Sequence, residues 1–318
     1  MRRTLAVLSC LFASWAVAQP YPSKPVKLVV PWPAGGLVDI VARTYGERLQ
    51  ADLGQPVIVD NKPGAGGMIG AELGAKAEPD GHTLVLTTTA LTMNAALGQK
   101  GAEDTALALV PVRNGAWAPS ILVTRPGFPA RTLKELVELA KAQPGKFTYA
   151  SVGNGSPTHF ASEMFKAAAG VDLVHVPYKG TAQLLPDLIS GRIPMAIDSL
   201  PAHLPHLRAG KTRALAVASR TRSSTLPDVP TMAEAGLPGY ETATNYTLFA
   251  PAKTPAEIVA LLNRETNAIL KLPEVQERFS SLGLVATGGS PEQAQARVPA
   301  EVEKWAGVIR RGNLQLGS

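Results

Sequence analysis

The chain has 318 residues, enough for two domains that each bury a core. Hydrophobic residues make up 45% and charged residues 18%, a globular balance that excludes a disordered chain, and the 29 glycines follow no triplet period, which excludes a collagen-like one. The net charge of +6 is spread without a long run of one sign and aromatics reach only 5%, so no nucleic-acid partner is expected.

Arg2 and Arg3 precede an apolar stretch from Leu5 to Val17, and Ala16-Val17-Ala18 supplies the small residues a signal peptidase accepts. This predicts a secretory signal over residues 1–18, cleaved after Ala18. The apolar run is too short for a membrane span, which needs about 20 residues. Cys10, the single cysteine, lies inside that signal; Val7-Leu8-Ser9-Cys10 resembles a lipoprotein box, but the apolar stretch before it is too short to direct lipidation. A large secreted chain left without cysteine fits a bacterial periplasm, where a full-sized core makes disulfides unnecessary.

From Val26 onward, short apolar runs alternate with amphipathic segments. Strands are predicted at Val26–Val30, Pro56–Asn61 and Thr83–Thr87, with helices at Val38–Leu53 and Gly67–Lys76 between them. The rhythm resumes with helices at Thr132–Gln143, Pro157–Ala169 and Thr181–Ser190, and strands at Phe147–Ser151, Leu173–Pro177, Pro194–Ile197 and Thr212–Ala218. A strand at Thr247–Ala250 and helices at Pro255–Leu270 and Pro291–Arg310 close the chain. Alternating β and α elements imply parallel strands with right-handed crossovers, hence two parallel-sheet α/β domains. The tail has too few strands for a third sheet and is expected to return to the first domain. The division is then 19–122 and 241–318 against 123–240, with a hinge of two crossings near Ser120–Thr124 and Gly239–Tyr246.

Two strand–turn–helix junctions carry the chemistry. Pro31-Trp32-Pro33-Ala34-Gly35-Gly36-Leu37-Val38-Asp39 lies at the carboxyl end of the first strand, where open α/β sheets bind ligands and a helix N-terminus offers free N–H groups to an anion. An ordinary βα turn, with Asp39 steadying the first helical turn, uses the same residues. Ser151-Val152-Gly153-Asn154-Gly155-Ser156-Pro157-Thr158-His159 repeats the placement, with Ser156 a natural N-cap and Pro157 a natural first helical residue. One such turn is weak; two, one per domain, make a matched pair of anion cradles across a cleft.

Other chemistries fail on spacing. Gly64-Ala65-Gly66-Gly67-Met68-Ile69-Gly70 has Ile69 where a dinucleotide loop needs glycine, and Gly210-Lys211-Thr212 has Pro205 where a P-loop needs its first glycine. The Gly64–Gly70 segment reads instead as a tight turn that lets the next helix pack. Ser156, His159 and Asp198 form no recognisable triad spacing, and the five histidines lack a metal-ligand pattern, so neither an enzyme nor a metal or other cofactor is expected. Val174-His175-Val176-Pro177-Tyr178-Lys179-Gly180 ends a strand with a hydroxyl and a cation that face either a ligand or solvent. Asp198 follows another strand and suits either a ligand amino or hydroxyl group or a helix cap.

Taken in order, these segments resemble the substrate-binding proteins of tripartite tricarboxylate transporters, the Bug receptors. The match spans most of the chain after the signal and rests on Pro33–Asp39, Asn61–Gly67, Pro79–Leu84, Gly153–Ser156, Val174–Gly180, Leu226–Thr231 and Glu234–Gly239. The resemblance implies a periplasmic-binding-protein-like, Venus-flytrap fold and capture of a small carboxylate for membrane permease subunits. It implies ligand contacts from the first glycine loop and from the Gly153–His159 turn. Departures are Trp32 where members commonly carry Phe, apolar Leu37 and Val38, the loop Thr87–Asn94, and a short Gly98–Val110. Bulk beside the first cradle would favour a ligand with one carboxylate and an apolar remainder.

The expected ligand contacts are therefore Trp32, Ala34, Gly35, Gly36, Asp39, Thr88, Thr89, Gly153, Asn154, Gly155, Ser156, His159, Tyr178 and Asp198. The expected protein is a monomeric periplasmic receptor. A sensor feeding a signalling system and a secreted hydrolase or isomerase are the competing classes; turnover would mark the last.

Overall fold

The computed structural model describes residues 21–312. The leader expected at residues 1–18 and its cleavage after Ala18 lie outside the described residues. The first half runs β1 (Val26–Val30), α1 (Leu37–Leu53), β2 (Val57–Asn61), α2 (Met68–Ala75), β3 (Thr83–Thr88), α3 (Ala90–Ala96) and α4 (Ala102–Leu107). A 16-residue strand, β4 (Leu109–Thr124), leads to α5 (Leu133–Ala142), β5 (Thr148–Ser151), α6 (Pro157–Ala169), β6 (Val174–Pro177), α7 (Thr181–Ser190), β7 (Met195–Ser199), α8 (Leu200–Arg208) and β8 (Arg213–Val217). The chain returns through β9 (Ala243–Pro251), α9 (Ala256–Ile269), α10 (Pro273–Ser281), β10 (Val285–Ala286) and α11 (Pro291–Gly312).

Two parallel trios, β2-β1-β3 and β6-β5-β7, form the centres of two sheets. Both sheets are mixed rather than purely parallel, because β4 and β9 join them antiparallel. Strands connected through a crossover helix run parallel, whereas a strand that returns directly runs antiparallel. β4 pairs with β9 from Leu109↔Pro251 to Pro119↔Ala243, then from Ser120 onward pairs with β7 and β8. The crossings lie side by side: Ser120 N–H donates to Thr242 O at 3.2 Å, and Thr242 N–H donates to Ala218 O at 3.0 Å.

Each sheet is covered on both faces, as parallel strands require. In α1, Val38, Val41, Ala42, Tyr45 and Leu49 repeat at helical spacing and pack on Val26, Leu28 and Val30. The opposite face carries Val29, Met68, Val85, Leu91 and Phe249. In the second sheet Tyr149, Phe165 and Ile197 face one layer and Ala150, Leu184 and Leu204 the other. Burial of each such Val, Leu or Phe stabilises the fold by about 1.5–3 kcal/mol. Gly74 lets α2 lie directly on β3: a β-carbon there would overlap Val85. Within the Gly64–Gly70 turn, a β-carbon on Gly70 would lie 2.9 Å from both Pro31 Cα and Lys62 O, so this turn too is the close-packing device that its composition suggests. The last helix, α11, packs along α3 and β4 and also touches α6.

Candidate functional site

The Pro31–Val38 turn follows β1 at its carboxyl end. Gly36 is the N-cap of α1 and has no side chain to satisfy the first-turn N–H groups, while Gly35 takes φ +79, a conformation that favours glycine. Ala34, Gly35 and Gly36 are exposed. Asp39, also expected to contact a ligand, is buried and turned inward. Its carboxylate accepts from Gly35 N–H (2.9 Å), Arg43 Nε (2.9 Å) and Asn61 Nδ2 (3.0 Å). Burial alone would raise its pKa, but the Arg43, Gly35 and Asn61 hydrogen bonds outweigh it and hold the carboxyl below its ordinary value. Asp39 therefore shapes the turn from beneath, which leaves the backbone as the anion-facing surface.

The second turn has the same logic. Ser156 caps α6, its Oγ accepting from His159 N–H at 3.3 Å, and Pro157 opens the helix. Gly153 and Gly155 take φ +127 and +68, and Asn154 between them is exposed. His159 is buried; its Nδ1 accepts from Gly155 N–H at 3.3 Å, and its ring stacks on His175 with centroids 3.9 Å apart. Burial, with the neighbouring His175 and Lys166 charges, pushes its pKa down to about 3, so it is neutral at pH 7. Neutral Nδ1 is what accepts the Gly155 N–H. His159 thus organises the turn from behind.

The two halves meet at these turns. A β-carbon on Gly66 would lie 2.6 Å from Asn154 O, and one on Gly180 would lie 3.8 Å from Pro33 Cγ. Asn94 Nδ2 donates across the gap to Gly155 O at 3.0 Å. Trp32 is 9% exposed and lies against Gly67, which leaves the Ala65–Gly67 turn between the two junctions. Gly66, Asn94 and Gly180 were not among the expected contacts. Asn94 sat in a segment with no helical period, and nothing in a single sequence places it against Gly155.

Leu37 and Val38 pack into the core beneath α1, so the expected narrowing of the cradle by these two side chains is not seen. Thr88 and Thr89 end β3 beside the crossing strands and are buried, with Thr89 Oγ1 accepting from Asn245 N–H at 3.1 Å. Tyr178 turns its hydroxyl to Asp187 at 2.7 Å; burial first, then that carboxylate, pushes its pKa up to about 12. Asp198 is buried at the end of β7, where it accepts from Thr181 Oγ1 (2.8 Å) and Ser199 N–H (2.7 Å) and faces His203 Nε2 at 3.1 Å. The side chains of Asp39, His159, Tyr178 and Asp198 are thus engaged within the protein. Asp39 and His159 bond to the glycine turns, whereas Tyr178 and Asp198 bond to residues of α7 and α8. Ser156 Oγ meets the backbone of His159 and not its imidazole, and Asp198 pairs with His203, so Ser156, His159 and Asp198 do not assemble into one relay.

Gly35 N–H is taken by Asp39, and Gly153 and Gly155 N–H by Ser151 and His159, so what the two turns offer a small anion is the uncapped first turn of α1 behind exposed Ala34–Gly36, faced by exposed Asn154 ahead of α6. Among the described residues no cluster has metal-ligating character, and no helix is long and apolar enough to cross a membrane.

The family model of the tripartite tricarboxylate transporter family receptor matches residues 41–314. Protein BugT of Bordetella pertussis is 37% identical, over 99% of this chain and 99% of its own length. A solved R. palustris protein, Rpa4515 with adipate, is 37% identical with TM-score 0.87, over 92% of this chain and 98% of that one. MatC from Rhodopseudomonas palustris with bound malate is 33% identical with TM-score 0.86, over 91% of this chain and 100% of that one. These solved structures thus share the overall fold of this chain at 33–37% identity. The chain belongs to the tripartite tricarboxylate transporter receptor family of solute-binding proteins.

Proposed function

We propose that the protein is a periplasmic receptor that captures a small carboxylate between its two lobes and delivers it to membrane permease subunits of a tripartite tricarboxylate transporter. The lobes of this reading are residues 19–122 with 241–318, and 123–240; the side-by-side crossings at Pro119–Ser120 and Thr242–Ala243 supply the hinge. The observation that carries the proposal is the pair of glycine turns, one from each lobe, that expose Ala34–Gly36 and Asn154 ahead of the N-termini of α1 and α6, the first turn of α1 having no side-chain cap. Adipate and malate on two structural relatives support a carboxylate as ligand. In this reading the backbone of Ala34–Gly36 and of Gly153–Ser156, with Asn154 and the Trp32 rim, touches the ligand. Asp39, His159, Tyr178, Asp198, Thr88 and Thr89 act by positioning.

Hinge closure makes binding readable by a membrane partner, because only the closed form presents both lobes in one fixed relation. The test is thermal denaturation of the mature protein with malate, adipate, succinate, glutamate, benzoate and hexanoate. A ligand at 100 times its Kd adds about 2.7 kcal/mol. A stabilising carboxylate whose effect is lost in Gly36→Val supports the reading, whereas no response to any carboxylate overturns it.

A further inference from the structure

Behind the hinge, between α11 and the crossing strands, lies a cavity of about 400 Å³ that shares no residue with the two glycine turns. Its walls include Trp117 of β4, Ala243 and Asn245 of β9, and Arg297, Lys304 and Trp305 of α11. We propose that this cavity is a second ligand site, for a small anion with a flat apolar body such as an aromatic monocarboxylate.

The charge balance favours an anion. Glu301, the one acid of the lining, is already consumed: it accepts from Thr92 Oγ1 (3.2 Å), Asn245 Nδ2 (3.0 Å) and Arg297 Nε (2.7 Å). Lys304 lies over the Trp305 ring, its Nζ 4.8 Å from the centroid, and pairs with no carboxylate among the described residues. One positive charge is therefore left without a counter-charge beside two indoles. The volume falls in the range of small-molecule sites, roughly 300–1,000 Å³, and such sites combine apolar walls with a few polar groups.

The location gives an occupant leverage. Trp117 and Ala243 precede and follow the two crossings by at most a few residues, and Asn245 N–H holds Thr89 at the end of β3. Trp305 packs on Met93 of α3 and Phe160 of α6, one from each half of the molecule. A ligand wedged between α11 and these strands stabilises one hinge angle over others, which makes it an effector of the cleft.

The test uses benzoate and intrinsic fluorescence. With the leader removed, the tryptophans are Trp32, Trp117 and Trp305. In Trp32→Phe only the two cavity indoles emit. Benzoate is expected to change that emission saturably, with Kd raised about tenfold or more by Lys304→Ala, and again by Ala300→Phe, which fills the cavity from an exposed position on α11. Uncharged benzyl alcohol should bind at least about tenfold more weakly. The proposal is overturned by the absence of a saturable change, by a change that survives both α11 substitutions, or by one that Gly36→Val abolishes. The last outcome would assign the signal to the cleft.

Discussion

The imidazoles of His159 and His175 stack with centroids 3.9 Å apart and planes 12° from parallel. Ser151 Oγ meets His175 Nε2 at 2.6 Å, and Gly155 N–H donates to His159 Nδ1, so the pair braces both ends of the second turn. Around it stand Lys166, Glu163, which binds Lys166, and Tyr149, whose hydroxyl donates to Glu163. Burial disfavours the charged form of both rings, and the charges of His175 and Lys166 at His159, and of Lys166 at His175, add to it; both pKa values lie below the ordinary value.

Acid should therefore loosen this turn. The unfolded chain binds protons on these histidines as pH falls through about 6.5, while the folded chain resists until about 3 at His159, so the stabilisation is present above pH 6.5 and is lost as pH falls across that window. The slope per histidine is at most about 1.4 kcal/mol per pH unit. Melting temperatures between pH 7 and pH 4.5 should fall more steeply for the wild type than for His159→Asn, which keeps an acceptor near Nδ1 and does not titrate. Parallel curves would disprove the buried-neutral assignment.

Gly66 marks how closely the halves approach. Its φ of +62 and the 2.6 Å between its β-carbon position and Asn154 O leave no room for alanine, and a backbone oxygen has no rotamer with which to move away. Gly66→Ala is expected to hold the lobes apart: carboxylate affinity should fall about tenfold or more, while stability without ligand drops by only about 1–2 kcal/mol. Small-angle scattering with saturating ligand should show a larger radius of gyration than for the wild type. Unchanged affinity would show that closure does not need this contact.

Asp198 anchors the start of α7 to β7 by its bond with Thr181, and it is the carboxylate partner of the buried His203. Asp198→Ala leaves Thr181, the Ser199 N–H and His203 without their acceptor and should cost about 3–5 kcal/mol, whereas Asp198→Asn retains an acceptor and should cost less. Chemical denaturation of both variants decides it. Equal and small losses would mean that the carboxylate faces solvent.

Much of the fold was legible because its signals are local. The βαβαβ starts, the N-cap and proline of α6, and the glycine turns all depend on residues close in sequence. β4 was missed because Pro111, Gly115 and Pro119 read as breaks; in the structure, register shifts fall at Pro111/Arg113 and Asn114/Ala116, where bulges absorb irregular residues. α3 was missed because Ala90, Leu91, Thr92, Met93 and Asn94 are all buried, so no polar face creates a period. In the site, the sequence marks polar residues but leaves open the direction in which they point. Whether Asp39 or Tyr178 faces a cleft or its own scaffold depends on Asn61 and Asp187, partners that sequence distance does not announce.

Trp305 offers the sharpest test of α11 as part of the folded unit. It is buried against Phe160, with centroids 6.3 Å apart, and against Met93, although α11 lies at the end of the chain. Replacing a buried tryptophan by alanine removes its transfer energy and leaves a cavity, about 3–5 kcal/mol together. If the helix merely decorated the surface, Trp305→Ala would cost below about 1 kcal/mol. Because the ring touches both α3 and α6, the variant should also alter the coupling between the halves, which is read as a changed fold-dependence of carboxylate affinity on Gly66→Ala in a double-mutant cycle. Additivity of the two substitutions would place α11 outside the closure, and non-additivity would place it within.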